Sequence, residues 1–185
     1  MVDPLTELLS DYRPRGAAEI ADLARIRDLV QAVDDPWSRV NPLHVTASAV
    51  IVHPASKRVL LRWHARQQAW LQVGGHGDPG ETDPTDIARR EGAEETGLPD
   101  LALWPDESQR HLVHAVIVSV PAKREDPAHE HADLRFVLAT DSPEDARPER
   151  PDAPLRWLTF AEAHDTTAED NLRETLSRVE RLINS

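Results

Sequence analysis

GGHGDPGETDPTDIARREGAEETGL, Gly74 to Leu98, decides the reading of this 185-residue chain. Six of its 7 glycines fall between positions 74 and 97, so glycine is used here for backbone freedom. Asp83 caps and Pro84 opens a helix that Gly97 should end. Wrapped at about 100° per residue, residues 84 to 98 put Ile87, Glu91, Glu94 and Leu98 on one stripe. Glu95 lies beside that stripe, while Arg89, Ala93 and Thr96 face away. Glu91, Glu94 and Glu95 are three and four apart and fall within reach of a single ion. Carboxylates on a partly apolar face repel one another and call for a positive partner. Taken alone, the run reads more readily as a solvated helix face with Arg90 and Glu94 as an i, i+4 pair. The glycine loop upstream, which lets backbone approach a phosphate-bearing ligand, favours a hard divalent cation instead.

The stretch from Gly75 to Glu81, followed by Arg90-Glu91-Gly92-Ala93-Glu94-Glu95-Thr96-Gly97-Leu98, resembles the Nudix box. The resemblance implies an α/β/α sandwich around a mixed β-sheet. It also implies Mg2+- or Mn2+-dependent hydrolysis of a nucleoside diphosphate linked to another moiety. By position, Glu91, Glu94 and Glu95 match the metal-binding acids, Arg90 the arginine that steadies them, and Gly75 the residue at which the loop turns close to the metal. Two departures stand out. Eight residues instead of seven separate Glu81 from Arg90. The distance from Pro84 to Arg90 is the usual one, so Thr82 is the extra residue and the helix register survives, while the place of Glu81 stays open. Gly92 stands where the family has a bulky apolar residue, at a cost of roughly 1 kcal/mol in helix propensity and a packing contact.

Outward from the box, short apolar runs read as strands: His44 to His53 and Lys57 to Trp63 as a hairpin through Pro54, then Trp70 to Val73, His111 to Val120, Ala132 to Thr140 and Leu155 to Leu158. Thr166 or Thr167 to Ile183 reads as a closing helix. A short helix through Leu9 and a longer one carrying Ile20, Leu23, Ile26 or Leu29, Val30 and Val33 precede the strands. The class is mixed α and β, with an N-terminal helical extension over residues 1–40 and a Nudix-type domain over 41–185. The chain lacks cysteine, which excludes disulfides, thiolate metal sites and cysteine nucleophiles, and with them the Nudix-like isopentenyl diphosphate isomerases, which use a cysteine. A formal net charge of -12 disfavours nucleic-acid and anionic-membrane partners. The N-terminal stretch has neither the basic start nor the apolar middle of a secretory signal, so a cytoplasmic protein is expected.

Outside the box, His129, His131, Asp133 and Arg135 alternate onto one strand face, either as a substrate or second-metal contact or as a solvated face. No third strong ligand is evident beside them in sequence, so zinc bound there alone is not expected. Arg62, His64 and Arg66 are candidates for phosphate oxygens, and Gln72 and His76 for lining the pocket. Trp63 and Trp70 are candidates for stacking on a base or for core packing. The substrate-binding set is thus Arg62, Arg66, His76 and His131. The partner is a small nucleotide-like molecule, and the extension covers the core, caps the site or forms a homodimer contact. The competing function is a non-catalytic nucleotide or sugar sensor, which the retention of all three glutamates disfavours.

Overall fold

The computed structural model describes residues 3–109, 111–123 and 127–185. Two helices come first, α1 (Pro4–Asp11) and α2 (Ala17–Ala32). Strands β1 (Leu43–His53), β2 (Arg58–His64), β3 (Ala69–Leu71) and β4 (Val73–Gly75) follow, then helix α3 (Pro84–Thr96). The chain continues with β5 (Ala102–Leu103), β6 (His114–Val120), β7 (His129–Ala139) and β8 (Leu155–Thr159), and ends in α4 (Phe160–Thr166) and α5 (Asp170–Ile183).

All eight strands form one mixed sheet. β1 lies at its centre, parallel to β7 and antiparallel to β2 and β4. The brief strand expected from Trp70 to Val73 breaks at Gln72. Its first half pairs with β2, placing Trp70 opposite Trp63, and its second half pairs with β1. Odd-numbered β1 residues (Val45, Ala47, Ala49, Ile51) join a core with Leu5, Leu23, Ile87 and Leu134 on the side of α1, α2 and α3. On the opposite face Val50 and Val52 meet Phe160, Leu172, Leu176 and Val179 of α4 and α5. The layers are helix, sheet, helix, as expected. The extension covers the core, because its leucines belong to the same cluster as the sheet.

Several expectations need correction. The closing helix starts at Asp170 and is preceded by α4, whose Thr159–Glu162 capping box was readable in sequence. On α2, Ile20 is 55% exposed while the charged Glu19 is buried. Glu19 pairs there with Arg178 of α5 at 2.9 Å and accepts from the Ala115 N–H, as Asp22 accepts from the Ile117 N–H. These carboxylates occupy outward-facing donors of β6, which would otherwise be an open sheet edge.

On α3 the line packed deepest is Thr85, Ala88, Gly92 and Thr96, together with Ile87. Thr96 therefore faces in, not away. Gly92 explains the difference. A Cβ there would come within 3.0 Å of Leu101, 3.4 Å of Leu138 and 3.6 Å of Ile51, so those side chains fill the space that a bulky residue would take. Gly92→Leu is expected to destabilise the fold by about 1–3 kcal/mol through overpacking, measured by urea unfolding. A stabilised variant would refute this packing.

Candidate active site

The inner α5-side face of the sheet changes character along β1. Val50 and Val52 lie under the helices, but His44, Thr46 and Ser48 are polar. The parallel register sets His44 beside His131, Thr46 beside Asp133 and Ser48 beside Arg135. A cavity of about 200 Å³ opens over this polar half, lined by Thr46, Ser48, Gln72, Gly74, Gly75 and Asp133 among others. Asp133 accepts from Thr46 (3.1 Å), Ser48 (2.6 Å), Gln72 (3.3 Å) and Arg135 (2.8 Å). Arg135 in turn donates to Thr175 and Asn171 of α5. The alternating face of β7 is thus a satisfied polar floor, while the Gln72 Oε1 is buried without a partner.

β4 separates this cavity from the acids of α3. A Cβ on Gly75 would lie 2.7 Å from the Glu91 carboxyl, and one on Gly74 would lie 2.5 Å from the Ser48 Cα. Only glycine lets the backbone pass between them. Glu91 (17% exposed) and Glu95 (13%) are largely buried beside that strand, whereas Glu94 is 55% exposed. The stripe therefore gathers Glu91 and Glu95 and leaves Glu94 at the rim.

Arg90 ties this arrangement together. It donates to Glu81 through Nε and Nη2, to Glu91 and Glu94 through Nη1 at 3.1 Å, and to the His76 carbonyl at 2.9 Å. Glu81 also accepts from the Asp78 N–H, so the residue whose place the longer loop left open is fixed against Arg90. That contact, outweighing a small cost of burial, holds the Glu81 carboxyl below its ordinary value. Glu95 takes an ion pair from Arg62 at 3.1 Å and the Gly74 N–H at 3.1 Å. Burial nevertheless pushes the Glu95 carboxyl up to about 7 and outweighs Arg90 at Glu91, which is raised too. Two largely buried carboxylates whose charged form burial disfavours despite an arginine beside each, all-oxygen donors and a glycine approach fit a hard divalent cation.

The other candidates separate. Arg62 is buried and turned to Glu95 and Glu149, away from the cavity, with its Nε unpartnered. Arg66 is exposed at the rim of a second cavity of about 400 Å³, with His76 and His131 in its wall. Burial depresses His76 to about 3 and His131 to about 4, so both imidazoles are neutral near pH 7. Trp63 and Trp70 pack on each other edge to face at 5.6 Å, with Arg156 over Trp70, and line neither cavity. His44, Thr46 and Ser48 were missed in sequence. Their alternation in HVTASAVIVH, polar to Ser48 and apolar beyond, was the available signal.

A family model for the NUDIX domain matches residues 42–179. No curated protein matches the sequence. Among solved structures, a binary complex of an Ap4A hydrolase from C. elegans aligns with a TM-score of 0.59 at 20% identity, over 76% of this chain and 97% of its own. The dihydroneopterin triphosphate pyrophosphohydrolase of E. coli aligns with a TM-score of 0.59 at 20% identity, over 78% and 97%. The Nudix hydrolase RenU from M. smegmatis gives 0.54 at 21% identity, over 76% and 86%. At these identities the likeness is one of fold.

Proposed function

Because the chain belongs to the Nudix family, we propose that it hydrolyses a diphosphate bond in a nucleotide-like small molecule with the help of Mg2+ or Mn2+. The observation that carries this reading is the pair of largely buried carboxylates, Glu91 and Glu95, set against the glycines of β4 that line the polar cavity. Glu91 and Glu95 would hold the cation, with Glu94 completing its surroundings from the rim and Gly75 leaving room for the approach. When bound, such a cation neutralises a diphosphate and makes water a better nucleophile at neutral pH. Arg90 positions Glu81, Glu91 and Glu94 and anchors the loop through the His76 carbonyl. Gln72 Oε1 is an acceptor for an N–H or hydroxyl of the bound molecule, and Arg66 at the rim is placed to meet phosphate oxygens.

The test is a panel of diphosphates and polyphosphates, including Ap4A, dihydroneopterin triphosphate, ADP-ribose and nucleotide sugars, with Mg2+ or Mn2+. Release of a phosphate monoester from at least one, abolished by a chelator, is expected. Binding without turnover across the panel would favour a sensor instead.

Stability should report the same site. A carboxyl raised from 4.5 to about 7 on folding keeps its proton in the native chain after the unfolded chain has lost it. Its contribution is fully present below about pH 4.5 and is lost as pH rises through about 7. A cation favours the ionised form, so Mg2+ is expected to raise the melting temperature more at about pH 8 than at about pH 5. Equal shifts at both pH values would contradict this assignment.

A further inference from the structure

A second group of ligands lies apart from the acids of α3. The β1–β7 register sets His44 beside His131, His129 precedes it on the same face, and His76 follows β4. The ring centroid of His44 is 5.1 Å from that of His76, 5.4 Å from His129 and 5.0 Å from His131. Four imidazoles from three parts of the chain form one contiguous cluster in the wall of the larger cavity.

The hydrogen bonds assign tautomers. His44 Nδ1 lies 2.9 Å from the Asn41 carbonyl oxygen, and His129 Nδ1 lies 2.8 Å from that of Pro127. A carbonyl only accepts, so each Nδ1 carries the hydrogen and, in the neutral ring, each Nε2 keeps its lone pair. Both Nε2 atoms point into the cluster, 3.0 Å from His76 Nε2 and 3.2 Å from His131 Nε2 respectively. An Nδ1–H held by a carbonyl is the outer support that orients metal-binding histidines. One ligand atom each from His44, His129 and His131 all lie within 4.8 Å of one another. A tetrahedral ion with Zn–N bonds of about 2.0–2.1 Å needs nitrogens about 3.4 Å apart, which small ring rotations supply.

We propose that His44, His129 and His131 bind one divalent transition-metal ion of the Zn2+ class, at a site distinct from the carboxylates of α3. Imidazole nitrogens select Zn2+, Co2+, Ni2+ or Cu2+ over Mg2+, so the two sites discriminate by donor chemistry. A phosphate in the same place would need protonated rings. Charging them would set like charges about 3 Å apart in a poorly solvated cluster, whereas a metal uses them neutral. The ion would tie β1 to β7 and hold His44, whose Nε2 lies 3.0 Å from that of His76, the residue next to Gly75.

The test uses the full chain, stripped with a chelator and then kept in excess Mg2+ to occupy the carboxylates. Calorimetry with Zn2+ should show one ion per chain, and Co2+ should give the strong visible absorption of a tetrahedral site. His131→Gln and the half-exposed His129→Gln should each weaken Zn2+ binding at least about tenfold, with melting curves confirming that both fold. The Glu91→Gln/Glu95→Gln double variant should bind Zn2+ like the parent. The proposal is overturned if no stoichiometric Zn2+ binds in Mg2+, if His129→Gln binds unchanged, or if the glutamate variant loses the ion.

Discussion

Glu95→Gln is expected to lower turnover of the best diphosphate substrate by about 10³-fold, and Glu91→Gln by a similar factor. Glutamine keeps the shape and one acceptor oxygen, so the Gly74 N–H retains a partner. What it removes is the charge that opposes Arg62 and, on the proposed function, grips the cation. Glu94→Gln should cost less, because that side chain is 55% exposed and shares Arg90 with Glu91 and Glu81. Steady-state kinetics with Mg2+ titrated over a wide range separate the contributions. Lost metal affinity is partly rescued by high Mg2+, whereas a lost proton acceptor is not. Unchanged activity in the Glu91→Gln/Glu95→Gln double variant would remove the acids from the reaction.

The second large effect concerns stability. Arg178→Ala or Glu19→Ala is expected to destabilise the chain by about 3–5 kcal/mol, because each leaves a buried charge without its partner. Glu19 receives Arg178, the Tyr12 hydroxyl, and the N–H groups of Arg15 and Ala115. Burial works against its charge, but these bonds outweigh it and hold the carboxyl below its ordinary value. Their stabilisation is present above the unfolded value and is lost as pH falls through the folded one. The pair links α2 to α5 around the β6 edge, so its loss should loosen the extension from the sheet. A Glu19→Leu/Arg178→Met double variant should be more stable than either alanine variant, since an apolar pair of similar volume leaves no orphaned charge. Urea unfolding at neutral pH measures all three. An alanine variant within about 0.5 kcal/mol of the parent would show that the pair does not anchor the helix.

Local signals carried much of this architecture. Asp83, Pro84 and Gly97 bracket α3 where the capping chemistry says they should, with Gly97 in the left-handed region at φ 67. What failed depended on distant partners. Glu19 goes inside and Ile20 stays out because Arg178 waits 159 residues away, which apolar periodicity on α2 cannot report. Thr96 lies inward on the same line as Gly92, which Leu101 and Leu138 approach closely, and Glu94 sits at the rim. The third imidazole beside His129 and His131 was invisible for a similar reason: His44 arrives by β1–β7 register, not by spacing. The acids and the glycine loop were legible because their chemistry is concentrated in a single loop and helix. The cavity opposite them is assembled from six strands and a helix, and only the fold brings those together.

The gathering of Glu91 and Glu95 around one hard cation at the glycine strand is tested most directly by soaking crystals of the full chain in Mn2+ and collecting anomalous diffraction. An anomalous peak within bonding distance of Glu91 and Glu95 carboxylate oxygens, beside Gly75, is the expected result. Well-ordered crystals with no peak there, or with manganese only at the histidines, would contradict it.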